Sequence, residues 1–129
     1  MPELRKDPIV GRWVIISPER GKRPSDFAVK NTPAEDGFCP LCPGNEAWTP
    51  PEIFAFREEG TGPDQPGWSI RIVPNKFPAL KPQGDMARQC DGIFDRMNGI
   101  GAHEVVIETP DHNAELPDLA LSAIKKILF

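Results

Sequence analysis

Sixteen prolines and eleven glycines divide this 129-residue chain into short apolar runs. They are spread without low-complexity repetition or an internal repeat, so they read as turns and irregular loops in a folded domain rather than as disorder. One domain, or part of one, is the most that 129 residues with 39% hydrophobic content can build.

Between the breakers, the apolar runs read mostly as strands. Residues 10–17, VGRWVIIS, are β-branched and aromatic and stop at Pro18. A short strand is expected at 52–57, EIFAFR, and another at 68–74, WSIRIVP. In the latter, Trp68, Ile70 and Ile72 alternate with Ser69 and Arg71. HEVVIETP, 103–110, is a further strand, stopped by Pro110. Stretches 31–51, 58–67 and NKFPALKPQGD are loops, and 85–100 receives no regular element.

The last segment, LPDLALSAIKKILF, places Leu119, Ala123, Ile124, Ile127 and Leu128 on one helical stripe, with Pro117 suited to a first turn. Strand, long loop, strand, strand, helix reads as an α+β domain: an antiparallel sheet with a flanking helix and an incomplete edge. The helical pattern still runs at Phe129 without a glycine cap or proline stop, which is the expectation for a chain truncated at its C-terminus.

A net charge of −4 provides no basic face for general nucleic-acid binding. No apolar run reaches membrane-spanning length, and MPELRKDPIVG lacks the apolar core of a signal peptide, so a cytoplasmic protein is expected. Three cysteines, an odd count, do not make a disulfide framework.

Two of them, Cys39 and Cys42, sit in CPLCPGNE, whose Pro40, Pro43 and Gly44 favour a knuckle-like loop over the helix start of a redox site. A C-x2-C knuckle presents two sulfurs in the geometry that zinc takes. Ordinary buried thiols are the other reading. His103 or His112 could be the third ligand, Cys90 could contribute, and the set remains one ligand short. Separately, SPERGKRPSDF puts Arg20, Lys22 and Arg23 within four residues, with Gly21 between them allowing close backbone approach. Guanidinium forks and an ammonium suit phosphate oxygens, although a solvated charged loop has the same composition.

Four blocks in order carry a resemblance: DPIVGRWVIISPERGKRP (7–24), CPLCPGN (39–45), VPNKFPAL (73–80) and GAHEVVIETPDHN (101–113). Together they resemble the N-terminal part of galactose-1-phosphate uridylyltransferases, in the histidine-triad superfamily, over nearly the whole chain. The resemblance implies a histidine-triad-like antiparallel sheet, with residues 1–129 forming an incomplete N-terminal domain. It implies a structural zinc on Cys39, Cys42 and His112, leaving His103 as a strand residue. It places Arg20, Gly21, Lys22 and Arg23 at the phosphates of a UDP-sugar, Asn75 on the nucleotide sugar, and Leu41 beside the nucleobase. Lys76 stands where some members have aspartate.

Such enzymes exchange a uridylyl group between UDP-glucose and galactose 1-phosphate, in galactose metabolism, through a covalent intermediate on a His-Pro-His histidine. The full-length protein is then expected to be a homodimer acting on a UDP-sugar and a hexose 1-phosphate. No His-Pro-His occurs in these 129 residues, and in the family the fourth zinc ligand lies in the same downstream stretch, so no catalytic residue is assigned and the chain alone is expected to be inactive. Two alternatives stand beside this reading. One is a related phosphorylase acting on ADP-glucose, against which NKFPAL leans. The other is a zinc-stabilised module without chemistry of its own.

Overall fold

The computed structural model describes residues 1–22 and 37–129. Among these, seven strands form: β1 (Glu3–Lys6), β2 (Trp13–Ile16), β3 (Phe54–Arg57), β4 (Trp68–Pro74), β5 (Gln89–Asp91), β6 (Phe94–Asn98) and β7 (Glu104–Ile107). One α-helix, α1 (Leu121–Leu128), follows them. All strand pairings are antiparallel, as the sequence predicts, but they divide between two sheets, β2-β1-β6-β5 and β3-β4-β7. The chain correspondingly separates into two compact units, Met1–Asn31 with Phe77–His103 and Thr32–Lys76 with Glu104–Phe129.

In the first unit, the strand expected at 10–17 is shortened to Trp13–Ile16. Asp7 takes the preceding residues into a turn: its carboxylate accepts the Ile9 and Val10 amides, and its carbonyl accepts that of Gly11, at φ +73°. Residues 85–100, left without an element by the sequence, contain the β5–β6 hairpin. Its two-residue turn is Gly92-Ile93, with Gly92 at φ +61°, the positive angle that a glycine-first hairpin turn requires. β1 was also not expected, because three of its four residues, Glu3, Arg5 and Lys6, are charged. It is nevertheless a central strand, paired with β2 on one side and β6 on the other.

The second unit is organised around β4, whose observed span is the predicted one. Its alternation is not the predicted one. The pairing Phe56↔Ile70 is followed by Arg57↔Trp68, so Ser69 is an extra residue, a β-bulge. The bulge removes Trp68 from the face of Ile70 and Ile72 and puts it with Val73 and Ile107 in the core, against Ala55 and Val105. Arg71, expected on a polar face, is 1% exposed. Its guanidinium is fully engaged: Nε on Glu52 at 3.0 Å, Nη1 on the Thr49 hydroxyl at 2.8 Å, and Nη2 on Asp64 at 2.7 Å. Arg57 meets Glu52 from the other side.

The C-terminal stripe behaves as half a prediction. Pro117 lies in a separate 3-10 turn, Leu116–Asp118, and α1 begins only after Ala120. Ala123, Ile124 and Ile127 are half-buried while Leu128 is exposed. Among the described residues, no helix is long and apolar enough to cross a membrane.

Burial alone would raise the Glu52 carboxyl, but the hydrogen bonds from Arg57 and Arg71 outweigh it and hold it below its ordinary range. A carboxylate lowered on folding adds stability above its unfolded pKa of about 4.3 and loses it as pH falls through the folded value. Thermal unfolding should therefore show a fall in Tm below about pH 4 that is reduced in Glu52→Gln. Arg71→Met leaves Glu52 with Arg57 alone and removes a partner of Asp64 and Thr49, and should cost about 1–3 kcal/mol in urea unfolding; a loss within experimental error would refute the network's role.

Candidate metal centre and phosphate loop

The CPLCPGNE turn is closed by its own peptide groups. The Cys42 amide donates to the Cys39 carbonyl at 3.3 Å and the Asn45 amide to the Cys42 carbonyl at 3.1 Å. The Asn45 side chain adds a bond from Nδ2 to the Cys39 carbonyl at 2.7 Å. Gly44 takes φ +92°, a conformation that disfavours any side chain. Glu46 then fixes the turn to the sheet. It is 5% exposed, and its two carboxylate oxygens accept the Gly44 amide and the Trp68 indole N–H, each at 2.9 Å.

The third donor comes from the segment after β7. Thr109 and Asp111 build a tight turn, with the Asp111 amide on the Thr109 hydroxyl at 3.2 Å and the Asn113 amide on the Asp111 carboxylate at 3.0 Å. His112, at its apex, sets Nδ1 3.2 Å from the Cys42 sulfur. One donor atom each from Cys39, Cys42 and His112 lie within 4.8 Å of one another.

A tetrahedral zinc, with Zn–S near 2.3 Å and Zn–N about 2.0–2.1 Å, would hold such atoms about 3.5–3.8 Å apart. The spacing and the thiolate–imidazole donor set therefore fit a borderline-soft divalent ion, with one position left for a fourth donor. Burial pushes the Cys42 thiol up, and the adjoining Cys39 pushes it further in the same direction. A cation among the three donors would reverse that by displacing the proton.

The other two candidates for the third ligand have hydrogen-bond partners of their own. His103 belongs to the first unit, where its Nδ1 accepts the Ala79 amide at 2.8 Å. Cys90, on β5, donates its thiol proton to Asp95 at 2.8 Å. That bond raises the Cys90 thiol and lowers the Asp95 carboxyl.

Leu41, between the cysteines, lines a shallow cavity of about 320 Å³ with Val106, Glu108, Thr109 and Pro110. The sequence had pointed to Leu41 but not to its β7 neighbours. Asn75 and Lys76 follow the end of β4, the first half-buried and the second exposed.

In the first unit, Arg20 and Gly21 lie on a 3-10 turn, Pro18–Lys22. The Lys22 backbone ends that turn, and Arg23 lies outside the described residues. Glu19 is paired with Lys81 at 3.0 Å, and that hydrogen bond lowers its carboxyl below the ordinary value. Arg20 is half-buried, with Nη1 3.5 Å from the His103 Nδ1. The sequence offered no sign that Glu46, Trp68, Lys81 or His103 support these two features, because none stands at a diagnostic spacing from the residues it holds.

Fold and site together define antiparallel sheets bearing a Cys-x2-Cys…His cluster that could hold a metal ion. The chain belongs to the galactose-1-phosphate uridyl transferase family: residues 1–129 match its N-terminal domain. An ADP-glucose phosphorylase of Arabidopsis thaliana is 40% identical over 98% of this chain and 36% of its own length. A galactose-1-phosphate uridylyltransferase of Thermotoga maritima is 30% identical over 99% of this chain and 33% of its own.

Among solved structures, the Arabidopsis ADP-glucose phosphorylase with bound ADP-glucose aligns at TM-score 0.52 and 36% identity, covering 99% of this chain and 35% of that one. A uridylyltransferase aligns at TM-score 0.60 and 29% identity, covering 98% and 31%. The chain thus spans about a third of the length of the relatives it matches.

Metal loading should reach about one equivalent per chain for a single such site. Cys39→Ser or His112→Ala should abolish it and lower Tm, as measured by elemental analysis and calorimetry. A metal-free chain with unchanged melting in all three proteins would exclude the centre.

Proposed function

We propose that this chain is the N-terminal part of a nucleotidyltransferase that uses a nucleoside-diphosphate hexose and a hexose 1-phosphate. The observation that carries the reading is the convergence of the neighbouring Cys39 and Cys42 with His112, which is distant from both in sequence, within 4.8 Å. Zinc is the ion proposed there, tying the cysteine turn to the segment after β7. The cavity beside Leu41 then takes the flat nucleobase against Leu41 and Val106. Arg20, Gly21, Lys22 and Arg23 contact the diphosphate, and Asn75, with Lys76 beside it, meets the nucleotide sugar.

Cations and backbone amides suit the phosphoryl oxygens because phosphoryl transfer is governed by positioning and charge stabilisation. The nucleophile proposed is a His-Pro-His histidine, a motif that residues 1–129 do not contain. The role of these residues is therefore binding, and the fully assembled enzyme performs the transfer as a uridylyl exchange between UDP-glucose and galactose 1-phosphate.

A second reading has a specific observation in its favour. The plant ADP-glucose phosphorylase is 40% identical to this chain, whereas the uridylyltransferases of Thermotoga maritima and Haemophilus influenzae are 30% and 28% identical. ADP-glucose is accordingly the competing donor. A non-catalytic module is the weaker reading, since the chain matches an enzyme family's domain throughout its length.

Calorimetric titration of the zinc-loaded chain with UDP-glucose and ADP-glucose separates the donors. Binding of one and not the other identifies the base. Arg20→Ala should weaken binding about tenfold or more, the effect of one charge-assisted hydrogen bond. No nucleotidyl transfer should be detectable with the chain alone. Turnover by residues 1–129 would refute the assignment of the nucleophile, and binding of neither sugar would overturn the proposal as a whole.

A further inference from the structure

His103 is a titratable side chain that neither the metal centre nor the proposed phosphate contacts use. Its Nδ1 accepts the Ala79 backbone amide at 2.8 Å, a short bond that requires a lone pair on that nitrogen. In that role Nδ1 carries no proton, and the ring N–H stands on Nε2. The Arg20 guanidinium stands against the same nitrogen at 3.5 Å, so one acceptor faces two donors from two separate segments. The residue preceding Arg20 is also fastened to the Ala79 segment, since Glu19 is bound by Lys81 at 3.0 Å.

We infer that His103 is a positioning residue: its Nδ1 lone pair joins the Phe77–Lys81 segment to Arg20 and sets the direction in which that guanidinium is presented to an anion. The inference rests on the reading of Arg20 as a phosphate contact. Two features of the chemistry support it. A guanidinium has donors on several edges, so engaging one on a neutral nitrogen leaves the others for a phosphate fork. A carboxylate in the same place would neutralise the charge, whereas a neutral acceptor orients it without doing so. Lys81, by contrast, is spent on Glu19 and holds the turn rather than the ligand.

The test uses two replacements of different chemistry in the zinc-loaded chain. Asparagine can return an acceptor oxygen close to the Nδ1 position, and leucine cannot. His103→Leu should weaken binding of the nucleotide sugar about five- to tenfold, the effect of one hydrogen bond, while His103→Asn stays within about twofold of the parent. Amide exchange at Ala79 should be faster in His103→Leu and remain protected in His103→Asn. Unchanged binding in His103→Leu, or equal loss in both variants, would overturn the inference.

If the parent chain binds neither UDP-glucose nor ADP-glucose, the functional reading fails by itself. The tie is then read from the Arg20 side-chain NMR signals. A shift in His103→Leu that His103→Asn restores upholds it, and signals indifferent to both substitutions overturn it.

Discussion

A buried carboxylate, Glu46, connects the cysteine turn to the sheet. Glu46 is buried, and both of its oxygens are occupied, one by a peptide N–H within the turn and one by the indole of Trp68. A buried carboxylate with unpaired oxygens would be costly, so its two partners are as necessary to it as it is to them. The consequence is positional. The sulfurs of Cys39 and Cys42 are placed relative to β4, and β7, paired directly with β4, leads into the segment that holds His112. The three donors converge because two sides of one sheet deliver them.

Around that connection the second unit replaces some apolar packing with ionic packing. Its buried apolar cluster is small, Trp68, Val73 and Ile107 with Ala55 and Val105 beside it. Next to it the Arg71 guanidinium reaches Glu52, Asp64 and Thr49, which ties the loop before β3 and the loop between β3 and β4 to the central strand. Such a network gives direction where greasy contacts would give only adhesion, because each guanidinium edge donates in a fixed plane. The first unit depends more on backbone pairing, with the charged β1 held on both sides by its neighbours.

The sequence made the apolar strands and the metal donors legible and left the supporting residues obscure. β4, β7 and the C-x2-C knuckle announce themselves through alternation, proline stops and spacing. β1 does not, because ELRK has neither alternation nor β-branched residues and becomes a strand through its partners. The β5–β6 hairpin had a readable signal in Gly92-Ile93, a glycine-first pair of the kind that closes a two-residue hairpin, but its strands were too polar to draw attention. Arg71 was misplaced because its face of β4 was read as solvent-facing, whereas Val73 and, through the bulge at Ser69, Trp68 make it part of the interior. Choosing His112 over His103 needed either the family's motif or the coordinates, since both flank the same strand.

The extra residue at Ser69 fixes more than a local bend. Removing it would return the end of β4 to regular two-residue periodicity and swing the indole of Trp68 to the opposite surface of the strand. Glu46 would then face the interior with one oxygen deserted, and the cysteine turn would lose its seat. A change in chain length of one residue, far in sequence from Cys39 and Cys42 and touching no donor atom, would thus disturb the three-donor cluster as surely as losing a sulfur.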